Sequence, residues 1–214
     1  MRKMNTLEIL ENIICKKIIQ EFLKTPKIIN YEFIKELVKD KTSRPDYHLN
    51  LLVENNLIIR TKGRGNYKLN EIMIQPLRKA FDIKVPLCLI GGLGKEISLF
   101  IDVIDALQQL SIIPRKYILA TSPEIKEQFI GLNFNKDYQI ETIVHQLDYQ
   151  TVLRENYTEI HELFEKIIKE QIYEFEIICE LTGSTKPVSI ALMDLGEQYG
   201  LQRIYFSGKK IIWI

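Results

Sequence analysis

Val85-Pro86-Leu87-Cys88-Leu89-Ile90, followed by Gly91-Gly92-Leu93-Gly94-Lys95, decides the fold class of this 214-residue chain. The run from Val85 to Ile90 is continuously apolar and of strand length, which suits a strand covered on both faces rather than one half in water. Glycines then lead into a helical segment from about Lys95 to Leu110. The alternation repeats: strand Lys116 to Ala120, helix Pro123 to Ile130, strand Tyr138 to Gln146, helix from about Tyr149 to Glu170, strand Phe175 to Leu181, helix Pro187 to Tyr199. Arg203 to Phe206 and Lys210 to Ile214, around Ser207-Gly208, form a terminal hairpin. Strands alternating with helices predict an α/β, Rossmann-like domain with a mainly parallel sheet, whose ligands sit beyond the carboxyl ends of the strands.

Two strand-to-helix connections carry candidate chemistry. Gly91, Gly92, Leu93 and Gly94 can bring backbone N–H groups close to an anion, because three of the four lack a Cβ. The run departs from G-x-G-x-x-G, since Ile97 stands where the last glycine belongs, and a plain tight turn accounts for it equally well. The second connection is Leu181-Thr182-Gly183-Ser184-Thr185-Lys186-Pro187-Val188-Ser189, which gathers hydroxyls, N–H groups and one ammonium at a helix start. A capped helix with an exposed lysine is the plainer reading of those residues.

The first half follows another pattern. Leu7, Leu10, Ile14, Ile18 and Phe22 place one apolar stripe along a helix that Asn5 or Thr6 caps and Thr25-Pro26 ends. A short helix fits Tyr31 to Val38. A third begins at Ser43, expected as its cap, has Pro45 in its first turn and runs to about Asn55. Leu57 to Arg60 and Tyr67 to Leu69 are short strands around Thr61-Lys62-Gly63-Arg64-Gly65-Asn66, a hairpin with a basic tip.

Hydrophobic residues make up 46% and charged residues 27% of the chain, which excludes a disordered protein. The longest uncharged stretch found, Val85 to Gly94, is far shorter than the ~18 residues a spanning helix needs. The start, Met1-Arg2-Lys3, leads into acids rather than a secretion signal, so the expected location is cytoplasmic, with no membrane partner. Net charge is +1, but residues 1 to 82 hold 16 Lys+Arg against 10 Asp+Glu and the remainder 13 against 18, giving +6 and −5. This places a boundary between a 1–82 domain suited to a polyanion and an 83–214 domain of different role. Cys15, Cys88 and Cys179 are odd in number, scattered and set in apolar segments, the pattern of buried thiols. With His48, His145 and His161 they form no metal-ligand spacing, so no metal or cofactor is expected.

The segment from Ser43 to Ile58 resembles the recognition helix and first wing strand of winged helix-turn-helix proteins, over about residues 5 to 70. The resemblance implies double-stranded DNA as partner, with Ser43, Arg44, Asp46, Tyr47 and Asn50 on the helix and Lys62 and Arg64 on the wing. Arg and Asn can read base edges, whereas charges at a flexible tip neutralise phosphate. Tyr47 is equally a surface or core group, Asp46 would repel phosphate, and winged helices also serve as dimerisation modules.

The run from Thr182 to Ser189 is similar to the T-G-G-T-K-P-x-S motif of the CRISPR-associated Rossmann-fold (CARF) sensors, and the resemblance extends over about residues 83 to 214. It implies a homodimer that binds a cyclic oligoadenylate, with cyclic tetra-adenylate the first expectation. The implied ligand residues are Gly91, Gly92, Leu93, Gly94, Thr182, Gly183, Ser184, Thr185 and Lys186. Ser184 replaces the family's second glycine and adds a side chain facing the ligand. Together the two resemblances imply a ligand-controlled transcriptional regulator of CRISPR antiviral defence, with sensor and winged helix in the reverse of the usual order.

The alternative is a metal-independent ring nuclease, the winged helix serving only to dimerise. Lys186, Ser184 or Thr182 would then stabilise charge at the scissile phosphate, though neither loop supplies a histidine for acid-base work. Arg154 with His161 matches the loosest form of a HEPN nuclease motif, but the chain has no separate helical domain to house it. Asp102 with Asp105, and Glu159 with Glu162, read as solvated helix rows.

Overall fold

The computed structural model describes residues 6–24, 28–96, 98–130, 139–147 and 156–214. The chain divides into two compact units, Met1–Ile83 and Lys84–Ile214.

In the first unit the expected single helix is two: α1 (Thr6–Glu11) and α2 (Ile13–Lys24). Asn12 breaks the run, because its side-chain Oδ1 accepts the N–H groups of Ile14 and Cys15 at 3.0 and 3.1 Å and starts the helix afresh. Asn5 and the Thr25-Pro26 stop lie outside the described residues. β1 (Ile29–Asn30), too short to show in the sequence pattern, precedes α3 (Tyr31–Val38), whose first turn Asn30 caps through Phe33 N–H. α4 spans Pro45–Glu54. Ser43 does not cap it: the N-cap position is Arg44, which makes no side-chain cap, and Arg44 N–H instead donates to Thr42 Oγ1 at 3.0 Å.

β2 (Ile58–Arg60) and β3 (Asn66–Leu69) pair antiparallel, with β1 on the other side of β3. Gly63 and Gly65 at the hairpin tip have φ of +109° and +76°, which other residues rarely adopt. A 3-10 turn (Glu71–Met73) and α5 (Ile74–Ala80), which the sequence reading left unassigned, complete the unit. Ile9, Ile18, Ile19, Phe22, Ile34, Leu49, Leu52, Leu57 and Ile58 form its dry interior. All three cysteines are buried and free. Burial pushes the Cys15 thiol up to about 11 and those of Cys88 and Cys179 up to about 12, so they are poor nucleophiles.

The second unit is an α/β layer fold. Its elements are β4 (Leu87–Gly92), α6 (Ser98–Gln109), β5 (Lys116–Thr121), α7 (Pro123–Ile130), β6 (Glu141–Gln146), α8 (Tyr157–Gln171), β7 (Glu176–Glu180), α9 (Lys186–Gln198), β8 (Gln202–Ser207) and β9 (Lys210–Trp213). The sheet order is β6-β5-β4-β7-β8-β9, parallel throughout except for the closing β8–β9 hairpin. Alternate strand residues point to opposite faces. Leu89, Tyr117, Leu119, Ile178 and Ile204 meet Phe100, Val103, Ile104 and Leu107 of α6 and Phe129 of α7. The opposite face packs on α9, which in turn packs on α8.

From β4 the chain proceeds outward through β5 and β6, then returns to place β7 on β4's other side. This reversal makes the carboxyl ends of β4 and β7 the topological switch point, where neighbouring connections leave toward opposite faces and open a crevice. β4 also runs further than expected. Gly91 and Gly92 belong to the strand, paired to Leu119 and Ala120 of β5, so the turn begins only at Leu93. The early part of the expected helix Tyr149 to Glu170, Arg154 included, lies outside the described residues, as do Ile97 and Tyr138.

Candidate functional site

At the switch point the β4–α6 and β7–α9 connections interlock. None of Gly91, Gly92 and Gly94 has positive φ, so a special backbone conformation is not what requires glycine there. Close approach is. A Cβ on Gly92 would lie 2.3 Å from Ser184 Cβ, and one on Gly94 would lie 2.6 Å from the Gly183 carbonyl oxygen. The glycines let one connection rest directly on the other.

The first connection is braced by β5 and the second from within. Leu93 N–H donates to Ala120 C=O at 2.9 Å, and the Thr121 hydroxyl donates to Leu93 C=O at 2.6 Å. In the β7–α9 turn the Ser184 and Ser189 hydroxyls are 2.8 Å apart, and Ser189 donates to Leu181 C=O at 3.0 Å. Thr185 takes the N-cap position of α9 but makes no side-chain cap. Lys186 opens the helix, exposed.

Between the connections lies a cavity of about 270 Å³, lined in part by Gly92, Leu93, Gly94, Ser184 and Thr185. Five of the nine candidate ligand residues therefore meet at one opening. Gly91, Thr182, Gly183 and Lys186 do not line it. Gly91 is buried beneath Glu180, and the Thr182 hydroxyl accepts Phe206 N–H from β8 at 2.7 Å. Lys95, Thr121, Ser122 and Glu124 complete the polar lining, and the sequence reading missed all four. Their signal was positional, since they stand at or just beyond the carboxyl ends of β4 and β5, where such folds place ligands.

The largest omission is Glu180. It ends a strand otherwise apolar in its interior, is 2% exposed, and bonds to the Thr182 N–H at 2.6 Å and to the Tyr117 hydroxyl at 3.4 Å. Burial holds its carboxyl above the ordinary value of 4.5, against the lowering effect of the donors around it. The same burial, with the carboxylate beside it, holds the Tyr117 phenol well above its usual range. A carboxyl group whose folded pKa is raised contributes stability fully below 4.5 and loses that contribution as pH rises through the folded value. Glu180→Gln, which never ionises, should therefore melt higher than the wild type at pH 8 and match it near pH 4. Circular-dichroism melts across that range check this, and a gap independent of pH would contradict it.

In the first unit, Ser43, Arg44, Asp46, Tyr47 and Asn50 are all exposed along the start of α4, and Lys62 and Arg64 are exposed at the hairpin tip. The Asp46 carboxylate accepts the Tyr31 hydroxyl, and Asn50 Oδ1 accepts from Arg60 Nη2 at 2.7 Å, so both are already engaged within the unit. His48 of the same helix is turned inward, with Nδ1 3.7 Å from Cys15 Sγ. Among the described residues no group of three His, Cys, Asp or Glu side chains could hold a metal ion, and no helix is long and apolar enough to cross a membrane.

No family model matches the chain, and no curated protein does. Among solved structures it is similar to Can2 from Sulfobacillus thermosulfidooxidans, in complex with cyclic tetra-adenylate, at 18% identity and TM-score 0.46, over 61% of this chain and 35% of that one. Protein VC1899 from Vibrio cholerae matches at 10% identity and TM-score 0.49, over 60% of this chain and 33% of that one. A type III CRISPR defence DNA nuclease activated by cyclic oligoadenylate matches at 15% identity and TM-score 0.40, over 84% and 29%. The chain spans about a third of the length of these structures. Similarity at this level assigns neither ligand nor activity.

Proposed function

We propose that the second unit is a CARF-type sensor of cyclic oligoadenylate acting in CRISPR defence. We further propose that the first unit is a winged helix-turn-helix that binds double-stranded DNA, and that the chain works as a homodimeric, ligand-controlled transcriptional regulator. One observation carries the sensor reading. The two connections that the sequence singled out meet at a single cavity at the switch point, where a sheet of this order takes nucleotide ligands. The similarity of Thr182 to Ser189 to the CARF motif supplies the ligand class. A homodimer fits a cyclic ligand, because each chain then meets the same repeated face.

Binding is favoured over ring cleavage because, of the three residues that cleavage would use, only Ser184 lines the cavity: Lys186, the motif's own cation, is exposed outside the lining, and the Thr182 hydroxyl accepts Phe206 N–H. Calorimetry with cyclic tetra-adenylate, the compound held by the Sulfobacillus protein, tests binding directly. Chromatography of the same mixture tests cleavage, and multiple turnover would replace the regulator with the ring nuclease. No heat with cyclic tetra- or hexa-adenylate would defeat the sensor reading.

The exposed row on α4 and the basic hairpin tip support the DNA reading. Lys62→Ala should weaken binding by about tenfold on every duplex at low salt and flatten the salt dependence, because a tip lysine meets phosphate. Arg44→Ala should lose more on the chain's own upstream DNA than on unrelated duplex, by roughly 1 to 3 kcal/mol if it reads a base edge. Gel-shift titrations at two salt concentrations check both. Equal losses on all sequences would leave Arg44 a phosphate contact, and no binding at moderate salt would remove DNA as partner.

A further inference from the structure

Glu180 is a buried acid outside the cavity lining, and the sensor reading gives it no role. Its surroundings do. Thr182 donates to it through its N–H at 2.6 Å and Tyr117 through its phenol at 3.4 Å. Gly91 lies against it so closely that an added Cβ would sit 3.1 Å from Oε2 and 3.2 Å from Glu180 Cβ. The Thr182 hydroxyl also accepts Phe206 N–H, which extends the network to β8. One carboxyl group thus joins β5, β7 and the β7–α9 turn, and the Thr182 side chain carries the connection on to β8.

We propose that Glu180 is the positioning residue of the switch-point site. Its carboxyl group holds the Thr182 N–H inward, so that the turn presents Ser184 and Thr185 to the cavity. The assignment rests on the sensor reading for its ligand and on geometry for its mechanism. A turn whose Thr182 N–H is bonded to a buried carboxyl cannot offer that group to a phosphate. The anion must then be met further along, at Ser184, Thr185 and the start of α9. A free turn would sample many backbone conformations, and binding would have to order it, whereas a turn already tied avoids that entropic cost.

Amide hydrogen exchange on the full chain without ligand tests the positioning. In Glu180→Met, which keeps the side-chain length but has no strong acceptor, the Thr182 amide should exchange about tenfold faster, the scale of one lost hydrogen bond. The Leu89 and Ile90 amides of β4 should be unchanged. Glu180→Gln retains an acceptor oxygen and should retain the protection. If Glu180→Met does not fold, Glu180→Asp, one methylene shorter, should show the same local loosening in milder form.

The second readout is affinity for cyclic tetra-adenylate, expected to fall about tenfold in Glu180→Met and to stay near wild type in Glu180→Gln. Unchanged exchange at the Thr182 amide in the Met or Asp variant overturns the assignment. So does a Met variant that binds as the wild type does, or a Gln variant as impaired as the Met one. A wild-type chain that takes up no cyclic tetra-adenylate overturns the ligand, and the exchange result then decides the positioning alone.

Discussion

Gly92→Ala should destabilise the second unit by roughly 3 kcal/mol and abolish ligand uptake, the upper end of what overpacking one methyl group usually costs. The added Cβ would lie 2.3 Å from Ser184 Cβ, 2.9 Å from Val188 Cγ1 and 3.2 Å from Ser184 Cα. None of these atoms is the far end of a flexible side chain. Ser184 sits in a turn braced by its contact with Ser189, and Val188 is buried on α9, so relief requires the two connections to part. Since that contact line borders the cavity, stability and binding should fall together.

A double-mutant cycle isolates the cause. Ser184→Gly removes the atom at 2.3 Å, so Gly92→Ala combined with Ser184→Gly should recover a large part of the loss, with a coupling of about 1 to 2 kcal/mol. Urea denaturation of the four proteins measures it. Additive effects would mean that the two connections are not in contact, and the picture of an interlocked site would fail.

Thr182→Val should cost about 1 to 3 kcal/mol, the range for leaving a hydrogen-bonding group without its partner. Valine has nearly threonine's shape but cannot accept Phe206 N–H. Thr182→Ser keeps the hydroxyl and should restore most of the stability. A side chain whose hydroxyl awaited a ligand would give the opposite pattern, with weakened affinity and unchanged stability. Denaturation curves and hydrogen exchange at the Phe206 amide separate the two, and a fully stable Val variant would return Thr182 to the ligand contacts.

Much of the second unit was legible because its strands are covered on both faces. Cys88 to Ile90 and Ile177 to Cys179 are buried and read as unbroken apolar runs. Element limits were legible where local chemistry sets them, as at Pro123, which opens α7. They were not legible where partners set them. Gly91 and Gly92 extend β4 because β5 pairs with them, and nothing in their own residue types favours a strand. Asn12 divides the first helix by bonding the N–H groups of Ile14 and Cys15, an option that the surrounding apolar stripe conceals.

The order of residues along the chain determined the alternation of strands and helices, the basic and acidic halves, and the two connections that hold the candidate site. Periodicity and glycine, proline and hydroxyl placement are local properties, and they act on the backbone within a few residues. Tertiary structure alone decided what those residues do. Gly92 and Gly94 serve contact with a turn about ninety residues further along the chain, Thr182 faces the sheet, and Glu180 stands at the centre of the network. The reason is that a hydrogen bond or a close approach is satisfied by whatever the fold brings within about 3 Å, and that neighbour is fixed by strand order rather than by sequence distance.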